Sequence, residues 1–469
     1  MKQVLSFFIL SLSVFSSFAQ IIKEDHDKYW NYRNRLRTYF LHVGPGQGES
    51  IPAGIRNFIN WNDGNKSILA WGDATLYLGW YLGVLATEFH LLQQNGEDTK
   101  EIIKELCFAI LAVERLDSVA ETRWNFSPSV NGFLIRDDVP SDFLDRHPHL
   151  NFNLKDETNY KKNSGAPVLV TEIQSDFISN PHNAFSQDQL VHLLMGLSLS
   201  AIFSPSEVFS PDDVVHGKTV NYKINPKEKS KLLINKLVDY ASNKYGSEPW
   251  QLRYPGNRVI PNNRGGDLRA NATGIAQIGK IINGNKKDFL VALPFNIIWQ
   301  LQQSIKALRK NISSLHMALV TAAASDYWRG FTSENTTEKG INFQGSYPAG
   351  RYLWIKYDAN NYGWDIFYNY LRIAIHGYKK NNYPAAVEII NSAPFNGPYY
   401  HLEDKTAPGG WAASRRFIDN PGRQMNGSIH FPGNYNGLDF MLFFNLYHIS
   451  DINANLSQYK KPEGFKFDH

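Results

Sequence analysis

Trp71-Gly-Asp73-Ala-Thr-Leu-Tyr77-Leu-Gly-Trp80-Tyr-Leu-Gly-Val-Leu-Ala-Thr-Glu88 is apolar on nearly every face of a helix, with a single acid at its start. A helix without a polar face must be covered on all sides, so it belongs inside an assembly of helices. Three more stretches share this form. Ser186-Gln187-Asp188-Gln189 opens an apolar run through His192 and Met195, Gly363-Trp364-Asp365 opens one through Asn369 and Arg372, and Asn436-Gly437-Leu438-Asp439 opens one through Asn445. Buried helices that each begin on an aspartate predict a ring of inner helices whose ends converge. Each acid also has a plainer role, because Asp in a first helical turn favours the helix dipole and can cap free N–H groups.

Helical period dominates wherever the chain is apolar. The expected helices are Leu69–Gln94, Lys100–Thr122, Ser186–Phe203, Pro226–Lys244, Ala270–Ile282, Phe295–Ala324, Trp364–Tyr378, Pro384–Asn391 and Leu438–Ile449. The first two form a hairpin across Asn95-Gly96, with Glu97-Asp98-Thr99 leading into the second. Strands are expected only in short runs such as Val168–Thr171 and Val214–Val220. Long loops rich in Gly, Pro, Asn, Asp and Trp separate the helices, and loops of that length are usually functional. No low-complexity linker divides the chain, so residues 20–469 read as one domain. Antiparallel helix pairs without a period of 34 residues fit an all-α fold of α/α-toroid type.

Residues 1–19 read as a signal peptide. Lys2 supplies the positive charge, Val4 to Phe15 the apolar core, and Ser17-Phe18-Ala19 the small residues at the cleavage site. A secreted or periplasmic monomer is the expectation. No later segment is expected to enter a membrane: the most apolar helix holds only 14 residues between Asp73 and Glu88, short of the ~20 a span requires. Cys107 is the only cysteine, so no internal disulfide exists and the fold rests on its core. The formal net charge is +4 with acids and bases interspersed, which argues against nucleic acid as a partner. The distinctive feature is aromatic, with 11 Trp, 24 Tyr and 29 Phe. Those placed in loops beside Gly, Asn and Asp suit a ligand with apolar faces and hydroxyls.

Three constellations can carry chemistry. Asp188 and His192 are four apart and therefore neighbours on one helix face. In Arg136-Asp137-Asp138, adjacent carboxylates beside a guanidinium would have their pKa values pushed apart, which is one route to an acid and a base together. The same loop runs on to His147-Pro-His149, a pair that could ligate a metal. Pro148 and the lack of a third histidine leave that set incomplete, so neither a metal nor a cofactor is expected. The third group comprises Tyr254, Arg258, Arg264, Trp411 and Arg415. There, arginine forks can bind carboxylate or sulfate oxygens, and aromatic rings can stack on sugars. Gly44-Pro-Gly46-Gln-Gly48 lacks the Lys-Ser/Thr of a phosphate loop. A nucleophile elbow of the Gly-x-Ser-x-Gly kind is also missing.

With its leader, its Trp71-Gly-Asp73 and Ser186-Gln-Asp188-Gln189 helix openings and its aromatic loops through Tyr435-Asn436-Gly437-Leu438-Asp439, the chain resembles secreted α/α-toroid carbohydrate-active enzymes of polysaccharide-degrading bacteria. That resemblance implies a glycan substrate and leaves hydrolysis or elimination open. Under hydrolysis, Asp188 would pair with Asp137 or Asp138, and Asp73 would act as a supporting acid. His192 would orient Asp188 or share its proton. Trp71, Trp80, Tyr254 and Trp411 would offer sugar platforms, and Arg136, Arg258, Arg264 and Arg415 would bind substrate oxygens. Elimination on a uronic-acid polymer would instead use His192 or Tyr254 as base, with Arg258 and Arg264 neutralising the sugar carboxylate. A non-catalytic glycan-binding protein of the envelope is the third expectation.

Overall fold

The computed structural model describes residues 21, 23–57, 67–150, 170–180, 183–215, 218–243, 248–261, 266–269 and 436–468, with scattered positions between 272 and 393. These residues are mostly helical with little sheet. The longer helices are α1 (Lys23–Tyr39), α2 (Ala74–Gln94), α3 (Lys100–Thr122), α4 (Gln187–Phe203), α5 (Pro226–Ser242) and α6 (Leu438–Ser450). A small sheet has the order β1 (Gly54–Asn57), β2 (Ser67–Ala70), β3 (Val170–Gln174), with β1 antiparallel and β3 parallel to β2. A separate hairpin pairs β4 (Asp212–Val215) with β5 (Lys218–Asn221). None of the described helices is long and apolar enough to cross a membrane.

Local chemistry accounts for several helix boundaries. Asn95-Gly96 reverses the chain after α2, with Gly96 in the left-handed region at φ +69°. The side chain of Asn225 accepts from Glu228 N–H at 3.0 Å and Pro226 opens α5, which closes on Asn243 at φ 37°. Two expectations are corrected. Ser67–Ala70 is strand, so α2 begins at Ala74 and not at Leu69. Pairing on both edges of β2 overrides the apolar run that looked helical there. The N-terminal helix α1, absent from the expected set, is fully formed. The expected helices at 295–324 and most of those at 270–282, 364–378 and 384–391 lie outside the described residues.

The core gathers on α2, which is buried along almost its whole length against α3, α4 and α6. Gly79 and Gly196 let α2 and α4 meet backbone to backbone. A Cβ on Gly196 would stand 1.9 Å from Gly79 O, and one on Gly79 would stand 2.3 Å from His192 O. Gly83 lies against Leu199 and Leu442, which brings α6 to the same helix. Across the other face runs a buried polar seam. Arg33 donates to Glu88 at 2.6 Å and to both oxygens of Glu105 at 3.1 and 3.0 Å, and all three side chains are buried. Tyr29 OH donates to Glu88, and Asn445 joins Tyr29, Val84 O and Thr87.

Alanine substitutions separate backbone contact from ordinary packing. Alanine gains ~1 kcal/mol over glycine in helix propensity. At Gly83 the new methyl would meet Leu199 and Leu442 side chains at 3.1 Å, which can shift, so Gly83→Ala should be near neutral in urea denaturation. At Gly196 the obstacle is a carbonyl, and Gly196→Ala should lose about 2 kcal/mol or more.

Candidate active site

Helices α2, α4 and α6 run in the same direction. Gln189 Nε2 donates to Gly72 O at 3.0 Å where α2 and α4 begin. Farther along the same pair come the Gly79–Gly196 contact and then Gly83 against Leu199. On α6, Leu442 meets Gly83 and, one turn on, Asn445 reaches Val84 O and Thr87. Asp73 and Asp188 therefore stand at the same end of the α2–α4 pair, while Asp439, three residues before Leu442, lies deeper along α2, near the level of Trp80.

The loop 134–138 crosses that end. Phe185 N–H donates to Leu134 O at 3.0 Å, Arg136 N–H donates to Asn183 O at 3.0 Å, and Thr75 Oγ1 donates to Arg136 O at 2.8 Å. The guanidinium of Arg136 ties the two openings together. It donates to Gly72 O at 3.2 Å and to Ala184 O at 3.1 Å, and lies 3.6 Å from Asp176. Its side chain keeps 24% exposure. At this end of the pair Arg136 and Asp176 are partly exposed, whereas Asp73 and Asp188 are buried, each 5% exposed.

The three helix-opening acids do different things. Asp73 takes the N-cap position of α2, where its backbone carbonyl accepts from Leu76 and Tyr77, yet its carboxylate makes no capping bond. Asp188 lies in the first turn of α4 and accepts from Ser186 Oγ. Asp439 is fully buried and accepts from Phe440 N–H at 2.9 Å, a local bond of capping type. His192 does lie on Asp188, but through the main chain: its Nδ1 meets Asp188 O at 2.8 Å. A carbonyl only accepts, so Nδ1 carries the proton there.

Asp137 and Asp138 are fully buried and turned into the protein. Asp138 accepts from Arg115 Nε at 2.6 Å and from Gly48 N–H at 3.0 Å. Asp137 accepts from Ser175 Oγ, Val139 N–H and Asp176 N–H. Burial pushes its carboxyl up to about 7, against the pull of those donors. Both acids thus fasten the loop that carries Arg136. Trp71 and Trp80 also belong to the core. Trp71 donates to Ile51 O at 3.0 Å and packs edge-on against Phe143, while Trp80 faces His192, and neither ring keeps an exposed face for a sugar. Tyr254 is buried beside Trp124, with the exposed Arg258 over its ring at 4.9 Å. Trp124, Phe133 and Phe185 form an aromatic line from that corner to the start of α4. Arg264, Trp411, Arg415 and Asp365 lie outside the described residues.

Elsewhere the loop 41–50 meets the segment 142–150. The ring of His42 stacks on that of His147 at 3.9 Å, and His149 lies 5.3 Å from His42. Glu49 completes a group whose ligand atoms all lie within 4.8 Å of one another. Burial, with His147 alongside, lowers His42 to about 4, so its imidazole is neutral near pH 7. Burial opposes the charge of Glu49, but His147 and the Gly46 N–H hold its carboxyl below the ordinary range. Sequence reasoning missed His42 and Glu49 because they lie about a hundred positions from the histidine pair. Asp176 was missed too, since a lone acid in a polar loop carries no signal. No family model, curated protein or solved structure matches this chain.

Two measurements check the loop's anchors. Arg115→Met leaves Asp138 buried without its cation, and denaturation should register a loss of about 3 kcal/mol. The folded state binds the Asp137 proton more tightly than the unfolded chain does, because the carboxyl is raised from 3.8 to about 7. Its contribution to stability is therefore full below pH ~4 and lost as pH rises through ~7. The stability difference between the protein and Asp137→Asn should fall across that window; a flat difference would mean that the acid is ionised throughout.

Proposed function

We propose that the chain is an exported glycan-degrading enzyme, a glycoside hydrolase whose helices complete an α/α toroid with its cleft at the leading ends of α2 and α4. The observation that carries this reading is the placement of Asp73 and Asp188 at the same end of α2 and α4, where Arg136 and Gln189 both donate to Gly72 O. The parallel run of α2, α4 and α6, with α3 returning antiparallel to α2, supports the toroid, since inner helices of such a ring share one direction. Hydrolysis of a glycosidic bond needs two carboxyl groups, one to protonate the leaving oxygen and one to activate water or attack the sugar carbon. Asp188 and Asp73 take these roles, in place of a pair built on Asp137 or Asp138. Arg136, which keeps part of its side chain exposed at this end, binds sugar hydroxyls or a carboxylate. The Gln189 side chain keeps the two helix ends in register and so maintains the spacing of the acids.

The test is a panel of polysaccharides assayed for new reducing ends with the purified protein. Asp188→Asn should lower turnover at least ~100-fold, the lower bound for a general acid or base, with an unchanged unfolding midpoint. Asp73→Asn should lower it comparably. Product carrying the ultraviolet absorbance of an unsaturated uronate would replace hydrolysis by elimination. Saturable binding without new reducing ends would replace catalysis by capture.

A further inference from the structure

We propose that His42, Glu49 and His147 bind a divalent transition-metal ion of the zinc class, which staples the loop 41–50 to the segment 142–150. The three ligand atoms come from two segments far apart in sequence, yet all lie within 4.8 Å of one another. Their chemistry is that of a borderline metal, with two imidazoles and one carboxylate, and not the all-oxygen set of calcium.

The key contact is the one between His147 Nε2 and Glu49 Oε1. Its length is 3.3 Å, and the buried nitrogen makes no aligned hydrogen bond. A plain charge-assisted His–Glu bond would close to about 2.8 Å with the N–H on line. Two ligands of a tetrahedral zinc at 2.0–2.1 Å stand roughly 3.4 Å apart. The observed separation therefore suits two groups aimed at a common third partner.

The frame around the three residues is rigid, as a metal site requires. Glu49 Oε2 accepts from Gly46 N–H at 2.7 Å, which leaves Oε1 turned toward the histidines. Arg115 donates to Pro45 O at 2.9 Å and to Glu49 O at 2.8 Å, and Ser50 N–H donates to His42 O at 2.7 Å. On the other side Phe143 packs against the His147 ring at 4.5 Å. His149 borders the group and is not needed to complete it.

The metal site is separate from the Asp73–Asp188 pair, which none of its residues serves. Protein stripped with a chelator should take up one equivalent of Zn²⁺ in calorimetry, and Co²⁺ in its place should give visible d–d absorption. Uptake should also raise the thermal midpoint. His147→Gln, His42→Gln and Glu49→Gln should each weaken Zn²⁺ by more than the ~10–100-fold that loss of an outer-shell partner costs. The metal-free midpoint of each variant shows that it folds, and His42→Gln keeps the Glu49–Gly46 bond. Failure of the unaltered protein to bind Zn²⁺, or undiminished uptake in all three variants, overturns the site.

Discussion

Two glycines facing each other across α2 and α4 set the geometry on which the rest depends. Gly79 and Gly196 remove the side chains that would hold the helices apart, and the backbones touch at a point where any Cβ would collide with a carbonyl. Helix axes ordinarily pass 8–10 Å apart, a distance set by the side chains between them. Without those side chains, the first turns of the two helices come close enough for Gln189 to reach Gly72 O directly and for Arg136 to bond both approaches. The two helix openings owe their proximity to a contact between residues that have no chemistry of their own.

The opposite requirement operates on the far side of α2, where a charge has been taken into the core. A guanidinium with no exposure is tolerable only when its charge is compensated, and Arg33 is paired through Nε and Nη2 with Glu88 and Glu105. Two carboxylates against one cation would leave an excess negative charge, which Arg37 at Glu105 and the hydroxyls of Tyr29 and Tyr81 offset. Burial alone would push the Arg33 pKa down, but Glu105 and Glu88 reverse the shift and the group stays charged. The seam joins α1 to α2 and α3, and through Asn445 and Tyr459 it reaches α6 and the C-terminal tail. Apolar contact would bury α1 equally well in many registers. Paired charges accept only one.

This is also why α1 was invisible in the sequence while α2, α3, α4, α5 and α6 were legible. Their apolar period or caps stand out, whereas α1 buries Asp25, His26, Lys28, Arg33 and Arg35 among aromatics, so its inward face reads as polar. Amphipathic pattern finds a helix by contrast between faces. A helix whose buried face is held by ion pairs has little contrast to find. The strand Ser67–Ala70 failed for a related reason: its identity comes from β1 and β3 on either side, and partners distant in sequence leave no local mark.

The acids illustrate the same limit at the level of chemistry. Asp137 and Asp138, side by side with an arginine, have the local look of an acid–base pair, and Asp73 and Asp188 the look of helix caps. The structure turns the first impression round through partners that lie elsewhere in the chain. Arg115, 23 positions upstream on α3, takes Asp138, and the Ser175–Asp176 turn takes Asp137. Each donor that satisfies a buried carboxylate also removes a lone pair that a substrate would need. Whether an acid is scaffold or reagent is set by which of its oxygens the fold has already used, and that is a property of contacts between distant segments.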